Sequence, residues 1–123
     1  MRILVVDDDE LIRESLIPML EILGHTAQAA AGGLEAMAMF QDGLAVDLVI
    51  LDMNMPGLNG AETLTRIKAL RPGQVVLMSS GYNDSDVNEL VSGHSGVHCI
   101  QKPFSMSELR RKLDGIPLES SSS

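Results

Sequence analysis

The fold is decided by a segment in the middle of the chain, Leu48-Val49-Ile50-Leu51-Asp52-Met53-Asn54-Met55-Pro56-Gly57. Its first four residues form a continuous apolar run, which is typical of a strand buried on both faces. The residues after Asp52 cannot continue a strand, because proline and glycine favour a turn there. The sequence therefore predicts that a carboxylate lies at the tip of a central strand.

Two other apolar runs also end in charged residues. The run from Ile3 to Val6 is followed by Asp7-Asp8-Asp9, and the run from Val97 to Gln101 is followed by Lys102. The carboxyl ends of the strands of an open parallel sheet form its ligand crevice, so we expect these groups to converge. Several acids and one lysine at one edge suit a divalent cation and a phosphoryl group.

The whole chain alternates between strand-like and helix-like patterns. Apolar runs predict strands at Ile3 to Val6, Thr26 to Ala30, Leu48 to Leu51, Val75 to Met78 and Val97 to Ile100. Segments with helical spacing lie between these runs and end near glycine or proline. This alternation predicts an α/β fold with right-handed crossovers, a parallel sheet and helices on both of its faces.

Some helix ends carry local signals. Asp9 is expected to cap the first helix, and Ser105 with Glu108 forms a capping box for the last one. Pro18 lies inside the first helical pattern and predicts a kink or break there. The fourth helix, from Asp84 to Ser92, has the weakest pattern.

Composition indicates one domain with a single core. The chain has 123 residues, of which 45% are hydrophobic and 21% are charged. We expect a domain at residues 1–117 and a flexible tail at residues 118–123. The net charge of -8 disfavours binding to nucleic acid or to an anionic membrane surface. No apolar stretch approaches the roughly 20 residues of a membrane span, and Cys99 is the one cysteine, so a cytoplasmic location is expected.

The acidic edge calls for a hard cation. Asp7, Asp8 and Asp52 would repel one another at about 4 to 6 Å unless a cation offset their charge. Oxygen ligands favour Mg²⁺ (or Mn²⁺), whereas the lone Cys99 and the three histidines show no zinc-ligand spacing.

The same edge contains the parts of a phosphoryl-transfer site. Asp52 can attack phosphorus to form an aspartyl phosphate. Lys102 supplies a positive charge, Ser80 supplies a hydroxyl for a phosphoryl oxygen, and Gly81 lets the backbone approach without a Cβ in the way.

These residues together resemble a two-component response-regulator receiver domain. The motifs that carry the likeness are Ile3 to Asp9, Asp52 to Gly57 with Gly60, Ser79-Ser80-Gly81-Tyr82, and Gln101-Lys102-Pro103-Phe104. The resemblance implies a flavodoxin-like, doubly wound sheet of five parallel strands in order 2-1-3-4-5. It also implies that a sensor histidine kinase or phosphotransfer protein donates a phosphoryl group to Asp52.

The resemblance further assigns roles to individual residues. Asp8 and Asp52 would ligate the metal by their side chains, Asn54 by its main-chain carbonyl, and Asp7 directly or through water. Among the groups that would bind the phosphoryl oxygens are Asn54, Ser80, Gly81 and Lys102. The Lys102-Pro103 bond is expected to be cis.

One position departs from the resemblance. Receivers often carry an aromatic switch residue three positions before the lysine, and here that position is Cys99. Ser80 and Cys99 are therefore the candidate switch residues, and signalling is expected to reach the surface of the fourth helix, fifth strand and fifth helix. The turn motifs also resemble receivers of hybrid histidine kinases.

The same residues suggest two other functions. A hydrolase with the same nucleophile usually has a second acid two residues later, but that position is Asn54. A pseudo-receiver would act only as a protein-binding module, which the departure at Cys99 favours and the acids, hydroxyl and lysine oppose.

Tyr82, two residues after Ser80, is expected to influence the lifetime of the phosphoryl group. The output partner cannot be read from the sequence, and three aromatics give no stacking platform for nucleic acid.

Overall fold

The computed structural model describes residues 1–81 and 87–116 of the chain. Strands and helices alternate throughout these residues. The strands are β1 (Arg2–Val6), β2 (Thr26–Ala30), β3 (Leu48–Asp52), β4 (Val75–Ser80) and β5 (Val97–Gln101). The helices are α1 (Glu10–Ile22), α2 (Gly33–Gln41), α3 (Gly60–Leu70), α4 (Val87–Gly93) and α5 (Met106–Asp114).

The strands form one parallel sheet in the order β2-β1-β3-β4-β5. The chain moves outward from β1 in both directions, so the order reverses beside β1 and β3, where ligand crevices form in such sheets. The predicted flavodoxin-like order is confirmed.

Helices cover both faces of the sheet because each central strand is apolar on both sides. Ile3 and Val5 of β1 pack in one core cluster, which includes residues of α1 and α5. Leu4 and Val6 of the same strand pack in the other cluster, which includes residues of α2, α3 and α4. The sheet is thus enclosed between two apolar layers, and its strand tips have fixed positions.

The predicted caps of α1 and α5 are confirmed. Of the kink or break predicted at Pro18, the break is wrong and the kink stays a prediction. The Asp9 carboxylate accepts a hydrogen bond from the Leu11 amide at 2.9 Å, and Ser105 and Glu108 form their capping box. Helix α1 continues through Pro18. Pro18 is exposed, so water can satisfy the carbonyl that its missing amide leaves, and the buried Leu16 and Leu20 hold the helix on either side.

Three sequence predictions fall wholly or partly outside the described residues. The fourth helix is expected around Asp84 to Ser92; within the described residues it is α4, Val87–Gly93, and Asp84 lies outside them. Tyr82 and the expected tail at residues 118–123 are outside as well. Among the described helices, none combines the length and apolar character that spanning a membrane requires.

Candidate functional site

Sheet register gathers the predicted site residues at the carboxyl edge. Val6 pairs with Leu51, so the residues that follow them, Asp7 and Asp52, emerge from neighbouring strands. Ser80 pairs with Gln101, which places Lys102 just beyond the end of β4. Each of these positions follows from a strand ending at the same level of the sheet.

Three carboxylates form a cluster with the geometry of a cation site. Asp7, Asp8 and Asp52 each offer an oxygen, and these oxygens lie within 4.8 Å of one another. Asp7 and Asp52 are 3% and 4% exposed, whereas Asp8 is exposed to solvent. Oxygen donors with one side open to water suit Mg²⁺, which retains several waters when it binds to proteins. The residues present therefore fit the predicted metal.

Lys102 connects the two buried acids of this cluster. Its Nζ donates to Asp52 Oδ1 at 2.9 Å and to Asp7 Oδ2 at 3.3 Å. Its backbone amide donates to the Ser80 carbonyl at 2.7 Å, and the Lys102-Pro103 peptide bond is cis, as predicted. One cation thus serves two buried carboxylates, which leaves the group one negative charge in excess.

The pKa values at the site reflect this imbalance. Burial, the largest influence, together with the charge of Asp7, raises the pKa of Asp52 despite the opposing hydrogen bonds from Lys102 and the Asn54 amide. Burial lowers the pKa of Lys102, but its bonds and charge interactions with Asp52 and Asp7 outweigh burial and raise that pKa. Lys102 is therefore held in its charged form, and further positive charge beside Asp52 would be favourable.

The two oxygens of Asp52 have different surroundings. Oδ1 accepts from Lys102 Nζ and, at 3.3 Å, from the Asn54 amide. Oδ2 accepts no hydrogen bond from the residues that the structure describes. The arrangement fixes the carboxylate through one oxygen and leaves the other available for attack on an electrophile.

Arg13 is a contributor that sequence reasoning missed. Its Nη1 donates to the Asp7 carbonyl at 2.6 Å, while Asp7 Oδ1 accepts from the Asp9 amide at 2.9 Å. Arg13 lies one turn after the Asp9 cap, and its own amide donates to the Asp9 carbonyl. A long cation one turn into a helix can reach the preceding loop, and that spacing was the available signal.

Gly60 fixes the loop that follows Asp52. Its amide donates to the Met53 carbonyl at 3.1 Å. An added Cβ would overlap the Asp52 carbonyl oxygen and would lie 2.6 Å from Met53 Cα. Only glycine allows α3 to begin this close to the strand tip.

The other predicted residues lie at the same edge or beside it. Ser80 is buried at the end of β4, Gly81 follows it directly, and the Asn54 amide contacts Asp52. Their roles toward metal and phosphoryl oxygens stay predictions. Cys99 is half-buried on β5 and packs against the core cluster beneath α2, α3 and α4.

Comparison with known proteins agrees with this geometry. Residues 3–114 match the family described as response regulator receiver domain. The chain is 33% identical over 122 residues to a transcriptional regulatory protein CpxR homolog from Haemophilus influenzae, covering 98% of this chain and 52% of that protein.

Solved structures agree as well. A response regulator receiver domain protein from Clostridium thermocellum superposes with a TM-score of 0.83 at 30% identity, covering 94% of this chain and 92% of that one. The receiver domain of the hybrid histidine kinase CckA gives a TM-score of 0.77 at 27% identity, with 93% and 96% covered.

A receiver domain is therefore the class that the fold, the acidic edge and the comparisons define together. The chain belongs to the response regulator receiver domain family. It spans 30% to 52% of the length of the curated relatives it matches first.

Proposed function

We propose that this chain is a phosphoacceptor signalling switch that receives its phosphoryl group on Asp52. The observation that carries the proposal is the bridge from Lys102 to Asp52 and Asp7, with the third carboxylate of Asp8 beside it. This bridge leaves one Asp52 oxygen available and supplies a cation within reach of a phosphoryl group. Such an arrangement favours transfer to Asp52 over a binding-only role.

The donor is a phosphohistidine on a histidine kinase or phosphotransfer protein. Oδ2 of Asp52 forms a bond to phosphorus as the bond between phosphorus and the donor's ring nitrogen breaks. The electron pair of the broken bond returns to that nitrogen. Lys102 then pairs with the phosphoryl oxygens, Ser80 donates its hydroxyl to one of them, and the backbone at Gly81 lies close to the group.

The metal site would be formed by the Asp7, Asp8 and Asp52 side chains with the Asn54 main-chain carbonyl. A bound Mg²⁺ or Mn²⁺ would neutralise part of the negative charge on the acids and on the incoming phosphoryl group. Without it, the excess negative charge around Asp52 opposes the approach of an anion.

We place the phosphodonor protein in a groove beside Lys102. The groove has a volume of about 320 Å³ and lies between α1 and the segment after β5. Leu11, at its rim, is 71% exposed, and Phe104 lines the other side. An apolar helix that docks here would carry its phosphohistidine next to the cation of the site.

The signal leaves through a protein partner at the surface of α4, β5 and α5. Ser80 and Cys99 are the proposed switch residues, since Ser80 ends β4 and Cys99 packs on the side of the sheet that α4 covers. A charge gained at Asp52 biases the position of Ser80 and of the chain after it. We place this activity in the cytoplasm, without direct binding to nucleic acid or membrane.

We also propose that residues 1–117 form the folding unit. Ile116 is buried against the cluster that includes α1 and α5, which extends the core beyond the end of the last helix.

Turnover is expected to be limited to self-phosphorylation from small donors and slow hydrolysis, because no second acid stands two residues after Asp52.

The test is intact-mass measurement after incubation with acetyl phosphate and Mg²⁺. The wild type should gain one phosphoryl group, and Asp52→Asn should gain none. Asp42→Asn, which changes an exposed acid at the end of α2, is the matched control and should be labelled like the wild type. A label on Asp52→Asn would place the acceptor elsewhere, and an unlabelled wild type would favour the binding-only alternative.

A further inference from the structure

A buried hydroxyl without a partner lies beside the proposed acceptor. Ser79 of β4 is 3% exposed, and its Oγ makes no hydrogen bond within the described structure. Most buried polar side-chain atoms have at least one partner, since an unmet one costs about 1 to 3 kcal/mol. A hydroxyl kept in this state calls for an explanation.

Register places this hydroxyl next to Asp52. Ser79 pairs with Asp52 on one side and with Ile100 on the other. Residues paired across a parallel sheet point to the same face, and adjacent strands are about 4.8 Å apart. The Ser79 carbonyl also accepts from the Met53 amide at 3.0 Å, which ties the two strands together at this level. The Ser79 hydroxyl and the Asp52 carboxylate therefore lie on the same face of the sheet on neighbouring strands, where side-chain rotation can bring the donor toward the acceptor.

The unphosphorylated site does not use this hydroxyl. Lys102 and the Asn54 amide already donate to Oδ1 of Asp52. Once Oδ2 carries a phosphoryl group, Lys102 pairs with the new negative charge, and Oδ1 becomes the carbonyl oxygen of an acyl phosphate. That oxygen keeps the long contact to the Asn54 amide and would face the proposed cation, and the departure of Lys102 leaves it able to accept one further hydrogen bond.

We propose that Ser79 is a positioning residue that donates a hydrogen bond to the carbonyl oxygen of phosphorylated Asp52. The inference rests on the proposed function of Asp52 as acceptor. A bond made in one state and absent in the other shifts the balance between them, so Ser79 favours the phosphorylated form. It also orients the acyl group while Lys102 and Ser80 hold the phosphoryl oxygens.

The test compares Ser79→Ala with the wild type, using beryllofluoride and Mg²⁺ as the phosphoryl analogue. The affinity of Ser79→Ala for beryllofluoride should be about fivefold weaker, as loss of one neutral hydrogen bond predicts. Without the analogue, its midpoint of thermal unfolding should be unchanged or higher, because the variant removes an unmet hydroxyl. Ser92→Ala, which removes an exposed serine hydroxyl on α4, should match the wild type in affinity.

The possible results distinguish a failure of the role proposed for Ser79 from a failure of the proposed function of Asp52. Equal affinities of the wild type and Ser79→Ala would overturn the role of Ser79 and leave Asp52 as acceptor. Equal destabilisation with and without the analogue would show a purely structural role and would also overturn it. A wild type that neither binds beryllofluoride nor accepts a phosphoryl group would instead overturn the proposed function.

A spectroscopic measurement covers the case in which Ser79→Ala fails to fold. The infrared carbonyl stretch of the acyl phosphate, formed with acetyl phosphate, falls in frequency when its oxygen accepts a hydrogen bond. Ser79→Cys keeps a side chain of similar shape with a weaker donor, so the band should move to higher frequency. An unmoved band would contradict the proposed bond.

Discussion

Two lysines at opposite ends of the sheet show how partners determine what the same side chain does. Lys102, at the carboxyl edge, bridges two buried carboxylates. Lys68, at the other edge, donates to the carbonyls of Gln74 and Ser95, each at 2.6 Å, and to that of Pro72 at 3.4 Å. Carbonyls carry no net charge, so these three bonds hold Lys68 through dipoles.

The two sets of partners predict different roles for the two lysines. The carboxylate partners of Lys102 can be replaced by a phosphoryl group, whereas the bonds of Lys68 join structural segments. An incoming phosphoryl group competes with carboxylates for Lys102, because both are anions that an ammonium binds. The bonds of Lys68 to the Gln74 and Ser95 carbonyls instead tie the end of α3 to the start of β4 and to the loop before β5. We therefore expect substitutions at Lys102 to affect chemistry and substitutions at Lys68 to affect stability.

The largest effect is expected from removing the positive charge of Lys102 at the carboxyl edge of the sheet. Lys102→Met should slow phosphorylation by acetyl phosphate about 100-fold, the usual cost of removing one group that stabilises developing charge. The time course of intact mass gives the rate. Lys68→Met is the matched control and should be phosphorylated at the wild-type rate. Similar rates for both variants would remove the distinction between the two lysines.

The excess negative charge at the carboxyl edge predicts stabilisation by a cation. Mg²⁺ at about 100 times its dissociation constant should raise the free energy of unfolding by about 2.7 kcal/mol, since it binds the folded form. Denaturant unfolding with and without Mg²⁺ measures the change. Asp8→Asn should lose most of the stabilisation, and Asp42→Asn should keep it. An equal response of both variants would place the cation elsewhere.

At the opposite edge of the sheet, substitution of Lys68 should lower the free energy of unfolding and leave phosphorylation unchanged. Lys68→Met removes the donor of three carbonyls and should cost about 2 kcal/mol of stability, within the range for polar groups left unmet. Urea unfolding measures it, and Arg66→Met, an exposed cation on the same helix, is the control. A loss at Lys68 no larger than at Arg66 would mean that the short bonds to Gln74 and Ser95 contribute little.

The sequence predicts the residues at the carboxyl edge of the sheet well, but it predicts little of the contacts made by Lys68 at the opposite edge. Asp7, Asp52 and Lys102 each follow an apolar run, and parallel strands bring such positions together regardless of side-chain detail. The anchoring of Lys68 depends instead on how far its side chain reaches across a loop, which no periodicity encodes. The partnerless hydroxyl of Ser79 was missed for the same reason.

Local signals were informative where chemistry and position coincide. The capping box of α3, in which Asn59 and Glu62 bond to each other's backbone amides, follows a recognisable spacing and could have been found. Pro18 does not break α1, contrary to one of the two outcomes predicted for it, because its effect depends on exposure, which a single position does not reveal.

The smallest expected effect tests the charge balance at Asp52 through pH. Its pKa is raised in the folded protein, mainly by burial, so the folded state binds the proton more tightly than the unfolded state. The stability that this carboxyl contributes is full below its unfolded pKa and declines as pH rises through the folded pKa. Asp52→Asn cannot ionise, so its stability relative to the wild type should increase over that window.

Urea unfolding of both proteins from pH 3 upward in roughly half-unit steps, without Mg²⁺, measures the difference in the pH range that the shifted pKa defines. The raised pKa of Lys102 acts at the alkaline end, where its contribution is lost as pH rises through the folded value. Because the two groups titrate in different pH ranges, their contributions to the free energy of unfolding can be measured separately. A constant difference between wild type and Asp52→Asn across the acidic window would mean that Lys102 fully balances Asp52 and that the excess charge belongs to Asp7.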